Sequence, residues 1–527
     1  MKFPKETSAT SKRIRPSTLV LLMAGLLLTW ILRMNFWGQP LQMDEGVYGY
    51  TAWRMLNGEV PYRDIFDHKP PGIYVIYSLA FFLFEPTALS IKAFATIYTM
   101  GTVLAIFSLG RKLAGRTAGL VAALLFGIFS SGPRIEGGGV NTEIFMVLPY
   151  TLAAYFLLKA VDTGRRRDYL FTGLLTGLAC TIKQVAAVNL LWVGTYLILQ
   201  IWSQKKWATV ARVSYDGCLT VIGAILPWLP YFIYFYLNDA LSEFYFWQVS
   251  FNLDYVAKGH GSISNLPIFY HQTKDILKEN GILWLLAMAA IYYQWRKSTV
   301  SNTKSRSPDQ RWAKLFLLTT WPLFSLLGVA LGGRFFGHYY IQIIPSLAVL
   351  SGVGSIEIYR QVRDRGLEIV RTPISLLLTL LLAKALLLFV ITDIPFYVSY
   401  NTDQISYHQY RTPLFSVTRF IGNYLGARTE PDELIYVWAV NPEINFYALR
   451  KTPSPFLVHR RENRVPTEEV IQSLQKSPPK YIVVIDELKR FTQLKDLIRQ
   501  NYQEATNTEL EELKQLIAFN VYRRMGG

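Results

Sequence analysis

Residues 72–84 read GIYVIYSLAFFLF, and this stretch decides how the chain is threaded. The stretch is almost wholly apolar, yet it is shorter than the roughly 20 residues that a helix needs to cross a hydrocarbon core of about 30 Å. We therefore predict an interfacial or re-entrant helix here, and not a membrane span.

Longer apolar segments flank this stretch on both sides and predict an α-helical polytopic membrane protein with about eleven transmembrane helices. The first follows basic residues and runs into Arg33 without a small-residue cleavage site, so we expect an uncleaved anchor. The predicted spans lie near 17–37, 92–110, 117–133, 143–160, 169–183, 185–202, 214–237, 281–295, 315–332, 340–358 and 373–392.

The basic residues of the loops favour the eleven-span count. With 72–84 left out of the spans, 25 Lys and Arg residues fall in loops on the side of the N-terminus, whereas counting it as a span moves 20 of them across. Cytoplasmic loops carry the excess of Lys and Arg. We therefore predict a multi-pass protein of the plasma membrane with a cytoplasmic N-terminus.

The composition excludes several classes of protein. The chain has 54 Lys plus Arg against 37 Asp plus Glu, a net charge of +17, and 51% hydrophobic residues, which excludes a disordered chain. The positive excess sits among hydrophobic segments and indicates topology, not nucleic-acid binding. Two cysteines, Cys180 and Cys218, exclude a disulfide framework.

The tail differs in composition and is predicted to be a C-terminal extracytoplasmic α/β domain. Strand-like runs at 433–439, 480–485 and 518–523 alternate with helical stretches near 414–425, 467–476, 488–501 and 508–515. The predicted division is a transmembrane domain at 1–392, with an outside loop 38–91 that carries juxtamembrane helices, and the α/β domain at 393–527.

Polar residues gather in that outside loop. Asp44 and Glu45 follow a predicted span closely, and carboxylates at the membrane surface favour a functional interpretation over a solvated loop. Lys69 precedes Pro70 and Pro71, which fix the chain direction and would hold the lysine at headgroup depth.

Further polar residues lie at other predicted outside helix ends: Arg134 and Glu143 around a glycine-rich turn, Lys183 between two short apolar helices, and Arg334 and His338 among aromatics. Taken singly, each fits a plainer interpretation, such as a helix-dipole partner or an interfacial aromatic belt. Together they suit a phosphate-bearing lipid substrate, with cations on the phosphate and an acid on an incoming hydroxyl. No GxxxxGK[ST], HExxH or GxSxG motif occurs.

In order and spacing, these motifs resemble the GT-C-fold glycosyltransferases, which include the protein O-mannosyltransferases and the lipid A aminoarabinose transferase. The resemblance covers roughly residues 17–392. It rests on Asp44–Glu45, on His68 through Pro71 followed by a short helix, on Glu143 after an outside turn, on Gly177–Leu178–Ala179 leading to Lys183, and on Arg334 through Tyr340 leading to Pro345.

The resemblance implies transfer of a sugar from a polyprenyl-phosphate carrier to an acceptor on the extracytoplasmic face, with inversion at the anomeric carbon. The acceptor could be protein, lipid or glycan, and the sugar a hexose or a pentose. Asp44 maps onto the usual catalytic base, with Glu45 and Glu143 as further catalytic carboxylates, although the family usually has Asp where this chain has Glu143. The expected ligands of the donor phosphate are Lys69, His68, Arg134, Lys183, Arg334 and His338. Some members use a divalent metal such as Mg²⁺ or Mn²⁺; if one binds here, Asp44, Glu45 and Glu143 are its expected ligands.

Three other functions fit parts of the pattern. A transporter or flippase of lipid-linked sugar would use the same cations without cleaving a bond, but no internal repeat is apparent. A ligase or polymerase of surface polysaccharide would be expected to have an Arg-rich late outside loop, whereas loop 238–280 carries only Lys258, Lys274 and Lys278. A scaffold without catalysis gives no reason to gather carboxylates in the first outside loop.

Overall fold

The computed structural model describes residues 15–204, 206–257, 265–300, 308–365, 394–458, 467–485 and 492–526. The predicted span 373–392 lies outside these residues. The first part is helical, and its helices are α1 Pro16–Met34, α2 Met43–Leu56, α3 Gly72–Leu83, α4 Ala88–Ala114, α5 Arg116–Phe129, α6 Thr142–Thr163, α7 Arg166–Ile182, α8 Val188–Gln204, α9 Trp207–Ile225, α10 Leu229–Leu237, α11 Leu241–Tyr245, α12 Phe251–Ala257, α13 Leu266–Val300, α14 Pro308–Leu331 and α15 Ile344–Arg365.

Six apolar stretches among the described residues are long enough to cross a membrane, and the chain is a multi-pass membrane protein. The eleven-span count stays a prediction. The six are Pro16–Met34, Ala88–Ala114, Thr142–Thr163, Gln184–Ser203, Trp207–Leu237 and Trp312–Leu331.

Two helices differ from their predicted form. The predicted single helix at 214–237 is two helices joined by a 3₁₀ turn at Leu226–Trp228. Pro227 and Pro230 explain the break, since proline removes a backbone donor and disturbs the preceding turn. The span predicted at 281–295 is the centre of the 35-residue helix α13.

Close helix packing shapes the bundle around the site. A Cβ atom on Gly173 of α7 would lie 1.9 Å from the carbonyl oxygen of Thr220 in α9, and one on Gly223 would lie 2.3 Å from that of Leu170. Small residues let membrane helices approach this closely. The contact fixes the end of α7, where Lys183 follows.

The short stretch 72–84 forms the 12-residue helix α3, as predicted. It begins directly after Pro71 and packs on α2. Gly72 lies against the end of α7, since a Cβ there would be 2.4 Å from the Thr181 carbonyl oxygen. Its interfacial or re-entrant position stays a prediction.

The tail forms an α/β unit, as predicted. Its strands are β1 Ile435–Trp438, β2 Tyr481–Val484, β3 Tyr502–Glu504 and β4 Asn520–Arg524, and its helices are α16 Ile394–Val398, α17 Thr402–Tyr410, α18 Leu414–Gly426, α19 Glu443–Ala448, α20 Thr467–Lys476, α21 Thr492–Asn501 and α22 Thr508–Lys514.

The strand order is β1-β2-β4-β3, with β1 and β2 parallel and the other pairs antiparallel. Alternate side chains of β1 and β2 enter two separate apolar cores, one on each face of the sheet. Strand β3 and helices α16, α17 and α19, none longer than nine residues, are not predicted from the sequence. Helix α19 packs on α2, so the α/β unit lies on the side of the bundle that carries Asp44. We call this the α/β side.

Candidate active site

Asp44 and Glu45 stand in the first turn of α2, which starts with a reciprocal cap. The Gln42 side chain accepts the Asp44 backbone N–H at 3.0 Å, and Glu45 Oε2 accepts the Gln42 backbone N–H at 2.9 Å. Such a cap satisfies donors that the helix leaves unpaired, and carboxylates in a first turn are favoured by the helix dipole. The start of α2 is therefore held in one geometry.

Glu45 is turned away from solvent and toward the backbone. It is fully buried, and its Oε1 accepts the Val140 backbone N–H at 2.6 Å. Burial raises the pKa of Glu45, against the lowering effect of the nearby Lys92 ammonium. Its carboxylate thus joins α2 to the glycine-rich turn 137–139, and its predicted catalytic role stays a prediction.

Asp44 meets Lys69 across the loop. The Lys69 ammonium lies 3.4 Å from Asp44 Oδ2, and both side chains are mostly buried. Burial alone lowers the pKa of Lys69, but the Asp44 carboxylate opposes this effect and the pKa is raised overall. Lys69 therefore stays charged beside the predicted base.

Backbone and side-chain hydrogen bonds fix the segment that carries Lys69. The Lys69 carbonyl oxygen accepts bonds from the Tyr62 hydroxyl at 2.6 Å and from Gln248 Nε2 at 2.8 Å. The His68 carbonyl oxygen accepts from Asn252 Nδ2 at 3.0 Å. Amides from the helical segment 246–252 thus hold the segment from one side.

Asp67 anchors the same segment from the other side. Its carboxylate accepts the Tyr74 hydroxyl at 2.6 Å and the His68 backbone N–H at 2.7 Å. Burial raises the pKa of Asp67, but the bonds and charges of His68, Lys69 and Tyr74 lower it overall. Sequence reasoning assigned Asp67 no role, and its place among buried donors indicates a structural one.

Lys183 and Glu143 form a second buried pair. The Lys183 ammonium contacts Glu143 Oε1 and lies 3.9 Å from the centre of the Tyr339 ring. Thr142 Oγ1 donates to Glu143 Oε2 at 2.9 Å. Lys183 stands in extended conformation where α7 ends and a 3₁₀ turn begins, so its side chain can leave the helix axis toward this site.

His338 lies between two carboxylates. Its Nδ1 is 2.8 Å from Glu136 Oε2, and its Nε2 is 4.0 Å from Glu143 Oε1. Glu136 has a φ of +53°, a conformation that is uncommon for a residue with a side chain and that turns it toward His338. His338 was predicted to bind the donor phosphate; its place between two acids favours a role in holding Glu143, and the assignment stays a prediction.

The two lysine–carboxylate pairs belong to one site. Gln184, which follows Lys183, donates through Nε2 to the carbonyl oxygen of His68, which precedes Lys69, at 3.3 Å. Lys69 is also influenced by the charges of Glu143 and Tyr339, and Lys183 by those of Asp44 and Lys69. We call these five residues the central cluster: Asp44, Lys69, Glu143, Lys183 and Tyr339.

The two arginines predicted to bind the phosphate lie in the segments that carry Glu136 and His338. The backbone N–H of Arg134 donates to Glu279 Oε2 at 2.8 Å while its side chain is exposed, near enough to Asp275 to influence that carboxylate. Arg334 is half-buried in the segment that leads to His338. Their roles as phosphate ligands stay predictions.

A cavity of about 370 Å³ has Gln184, the residue after Lys183, in its lining. Small and apolar side chains from α7, α8 and α9 dominate its lining, and Gln184 stands at the end near Lys183. Gln184 Nε2 donates to the His68 carbonyl oxygen at 3.3 Å, which joins this cavity to the Lys69 segment. The other lining residues are Gly177, Cys180, Ala187, Leu190, Val221, Ala224, Ile225 and Trp228.

The carboxylates expected to share a metal do not form a metal site in the part of the chain that the structure describes, where no three His, Cys, Asp or Glu side chains come together suitably. Glu45 is committed to two backbone donors, while Asp44 and Glu143 each face a lysine. The conditional assignment of Asp44, Glu45 and Glu143 to one metal stays a prediction.

Sequence reasoning missed three kinds of site residue. Tyr339 falls among the residues of a predicted aromatic belt, and no role is predicted for Glu136 or for the amides Gln184, Gln248 and Asn252. Amide side chains in an otherwise apolar stretch were the signal that could have identified the last group.

Comparison with known proteins supports the predicted relationship. The family model of dolichyl-phosphate-mannose-protein mannosyltransferases matches residues 68–231. Residues 418–524 match the model of the C-terminal domain of a competence-induced protein, Ccs4. The first match spans α3 to α10 and includes Lys69, Glu143 and Lys183.

Two curated relatives are distant. An uncharacterized protein of Aquifex aeolicus is 26% identical over 330 residues, which is 61% of this chain and 68% of that protein. The undecaprenyl phosphate-alpha-4-amino-4-deoxy-L-arabinose arabinosyl transferase of Pseudomonas aeruginosa is 24% identical over 320 residues, 59% of this chain and 54% of that protein. The chain thus spans about half the length of the second relative.

Solved structures match over nearly the whole chain. ArnT from Cupriavidus metallidurans, bound to undecaprenyl phosphate, superposes with a TM-score of 0.63 at 13% identity, covering 98% of this chain and 99% of that one. The archaeal oligosaccharyltransferase AglB from Archaeoglobus fulgidus, in complex with an inhibitory peptide and a dolichol-phosphate, gives a TM-score of 0.56 at 14% identity, covering 93% and 72%. The chain therefore has the fold of the GT-C glycosyltransferases, as its sequence motifs predict.

Proposed function

We propose that this protein is an integral-membrane glycosyltransferase that moves a sugar from a polyprenyl-phosphate carrier to an acceptor hydroxyl, with inversion. The single observation that carries the proposal is the central cluster, in which a carboxylate at a helix start, Asp44, meets the buried Lys69, and a second buried lysine, Lys183, pairs with Glu143 nearby. The relatives named for undecaprenyl-phosphate and dolichyl-phosphate substrates support the choice of donor.

The chemistry needs a base and a cationic site for the leaving group. Asp44 takes the proton of the acceptor hydroxyl as its oxygen attacks C1 of the sugar. The bond between C1 and the phosphate oxygen breaks, and the electron pair leaves with the polyprenyl phosphate. The donor phosphodiester carries one negative charge and the departing monoester up to two, so the demand for cations grows along the reaction.

Lys69 and Lys183 meet that demand where water is scarce. Both ammonium groups are held beside carboxylates, so two positive charges already stand in the site when a phosphate arrives. When Lys69 turns to the phosphate, Asp44 loses its ion-pair partner. Asp44 then becomes a stronger base than it is in the pair. Glu143 and His338 hold Lys183 in position.

The apolar cavity beside Gln184 suits the first isoprene units of the carrier. It lies between helices that would stand in the bilayer, and it reaches the Lys69 segment through the Gln184–His68 bond. We place the central cluster and the α/β unit on the extracytoplasmic side of the plasma membrane, because the basic loops fall on the other side. The transferred sugar, a hexose or pentose, and a protein, lipid or glycan acceptor complete the proposal.

A transfer assay separates this function from transport. Purified protein is given a radiolabelled polyprenyl-phosphate sugar and a crude envelope acceptor, and the label is followed from the lipid to the acceptor. Transfer that depends on Asp44 supports the proposal. Label that crosses a liposome membrane while it stays on the lipid would support a flippase instead.

A further inference from the structure

Helix α2, which carries Asp44, is packed into the α/β unit through two glycines. A Cβ atom on Gly46 would lie 2.5 Å from the backbone nitrogen of Glu443, and one on Gly49 would lie 3.1 Å from the Phe446 ring. Residues three apart lie on one face of a helix. Gly46 and Gly49 therefore form a shallow groove that helix α19 fills, and no larger side chain fits at Gly46 without a shift of the backbone.

Hydrogen bonds close both ends of this contact. The Leu41 backbone N–H, just before α2, donates to the Tyr447 hydroxyl at 2.8 Å. Further along α2, the Tyr50 hydroxyl donates to the Arg450 carbonyl oxygen at 2.9 Å. Both hydroxyls come from buried or half-buried rings, so α2 is held along its length by residues 447–450.

The face of α2 that meets the α/β unit is not the face that meets Lys69. Gly46 follows Asp44 by two residues, about 200° around the helix, since each residue turns it by about 100°. Asp44 and the groove thus lie on nearly opposite sides of the same helix. A displacement of α2 on the groove side would move the Asp44 carboxylate by a comparable distance.

The same stretch of the α/β unit also holds the segment that carries Lys69. The Phe66 backbone N–H donates to the Pro455 carbonyl oxygen at 3.0 Å, and the Phe66 and Phe456 rings meet edge to face with centres 4.8 Å apart. Phe66 stands three residues before Lys69. Both members of the Asp44–Lys69 pair are therefore tied to residues 443–456.

We propose that residues 443–456 of the α/β unit are a positioning element of the active site, which sets the distance between Asp44 and Lys69. This inference rests on the proposed function, in which that pair carries out the chemistry. Residues 443–456 touch neither substrate nor reacting atoms in this account, and act through α2 and the Lys69 segment. The α/β unit is then required for turnover, independently of any acceptor that it binds.

Small displacements at a reacting centre are costly. A misplacement of about 1 Å reduces turnover roughly 100-fold. Gly46→Ala forces a shift against backbone atoms, and Gly49→Ala forces a smaller one against a ring. We expect kcat to fall about 100-fold for Gly46→Ala and about 10-fold for Gly49→Ala, with the affinity for polyprenyl phosphate changed less than about threefold.

The matched control is Gly194→Ala in α8, where a Cβ would meet no atom within 4 Å. The rescue is Gly49→Ala combined with Phe446→Leu, since the smaller side chain returns the space that the added methyl group takes. Rescue of kcat by the double variant supports the role of residues 443–456 as a positioning element. Equal kcat for Gly46→Ala, Gly49→Ala and Gly194→Ala overturns it.

A second measurement does not need activity. Hydrogen exchange of the α2 backbone amides, residues 43–56, is followed in wild type and in Tyr447→Phe, which loses the bond to Leu41 but keeps the ring. Faster exchange at the start of α2 is expected, and unchanged exchange would overturn the role of residues 443–456 as a positioning element. If wild-type protein transfers no sugar but the exchange result holds, the proposed function fails, while the packing of residues 443–456 on α2 is still confirmed.

Discussion

Asp44 and Lys69 lie 25 residues apart in the chain, and their side chains meet with 3.4 Å between Oδ2 and Nζ. The second pair, Glu143 and Lys183, lies within electrostatic range of the first. The two carboxylates and the two lysine ammonium groups leave the central cluster without net charge. A phosphate that enters therefore has to draw a lysine away from its carboxylate, which links donor binding to the release of Asp44 as a base.

Replacing Asp44 tests the base directly. A general base contributes about 10²–10⁴-fold to a rate, so Asp44→Asn should lower kcat by that order while leaving the affinity for polyprenyl phosphate largely intact. Asp239→Asn is the control, because Asp239 is exposed in a turn with a φ of +51° that Asn adopts readily. Near-full transfer by Asp44→Asn would show that another group takes the proton.

Lys183 should contribute to donor binding. Hydrogen bonds to charged groups contribute about 1.5–3 kcal/mol, so Lys183→Met should weaken binding of polyprenyl phosphate about 10- to 100-fold. Because this change leaves Glu143 buried without its partner, Lys183→Met with Glu143→Gln is the matched variant. Weak binding in both variants supports direct contact with phosphate, whereas recovery in the double variant would make Lys183 structural.

His338 should make stability depend on pH. Burial lowers the pKa of His338, but the carboxylates of Glu136 and Glu143 outweigh burial and the nearby Lys183, and the pKa is raised above 6.5. A raised folded-state pKa gives stabilisation that is complete below pH 6.5 and is lost as the pH rises through the folded value.

The measurement for His338 is the melting temperature of the purified protein between pH 6 and 9. Wild type should lose more thermal stability across this range than His338→Gln does. Parallel curves for the two proteins would show that His338 is not charged between Glu136 and Glu143.

Glu443 should make stability depend on pH in the same direction, over a more acidic range. It is fully buried at the contact with α2, and burial, with Glu45 nearby, raises its pKa from 4.5 to about 7 against the bonds from Asn441 and Thr418. An acid whose folded pKa is raised binds its proton more tightly in the folded state. Stability therefore falls as the pH rises from 4.5 to about 7, by about 3 kcal/mol.

Glu443→Gln removes this titration and keeps the shape of the side chain. The stability of the variant should fall less than that of wild type between pH 5 and pH 8. The measurement is the denaturant midpoint of the tail, followed through the fluorescence of Trp438 in a background in which the other tryptophans are replaced. A wild type and variant that decline equally would place the sensitivity elsewhere.

Local sequence patterns predict those candidate site residues that stand near helix ends. Asp44 and Lys69 are predicted because Asp44 follows a predicted span and Lys69 precedes two prolines. Lys183 is predicted because membrane topology gives no reason for a cation at an outside helix end. These arguments need only short-range order. The helical bundle and the α/β tail follow from apolar length and from alternating strands and helices in the same way.

The remainder depends on contacts between distant segments. The Glu136–His338 pair joins residues 202 apart, and the groove at Gly46 meets Glu443 near the other end of the chain. No local pattern marks such pairs, and a single Glu with a positive φ resembles any turn residue. Glu45 shows the converse case, since an acid beside the predicted base proved to be tied to the backbone of another loop.

The most direct test of the central claim is a structure of the protein with a bound polyprenyl phosphate. The account predicts phosphate density within about 3 Å of the ammonium groups of Lys69 and Lys183, with Asp44 beside it and the prenyl chain entering the cavity near Gln184. Phosphate bound away from both lysines, with the Asp44–Lys69 and Glu143–Lys183 pairs undisturbed, would contradict it.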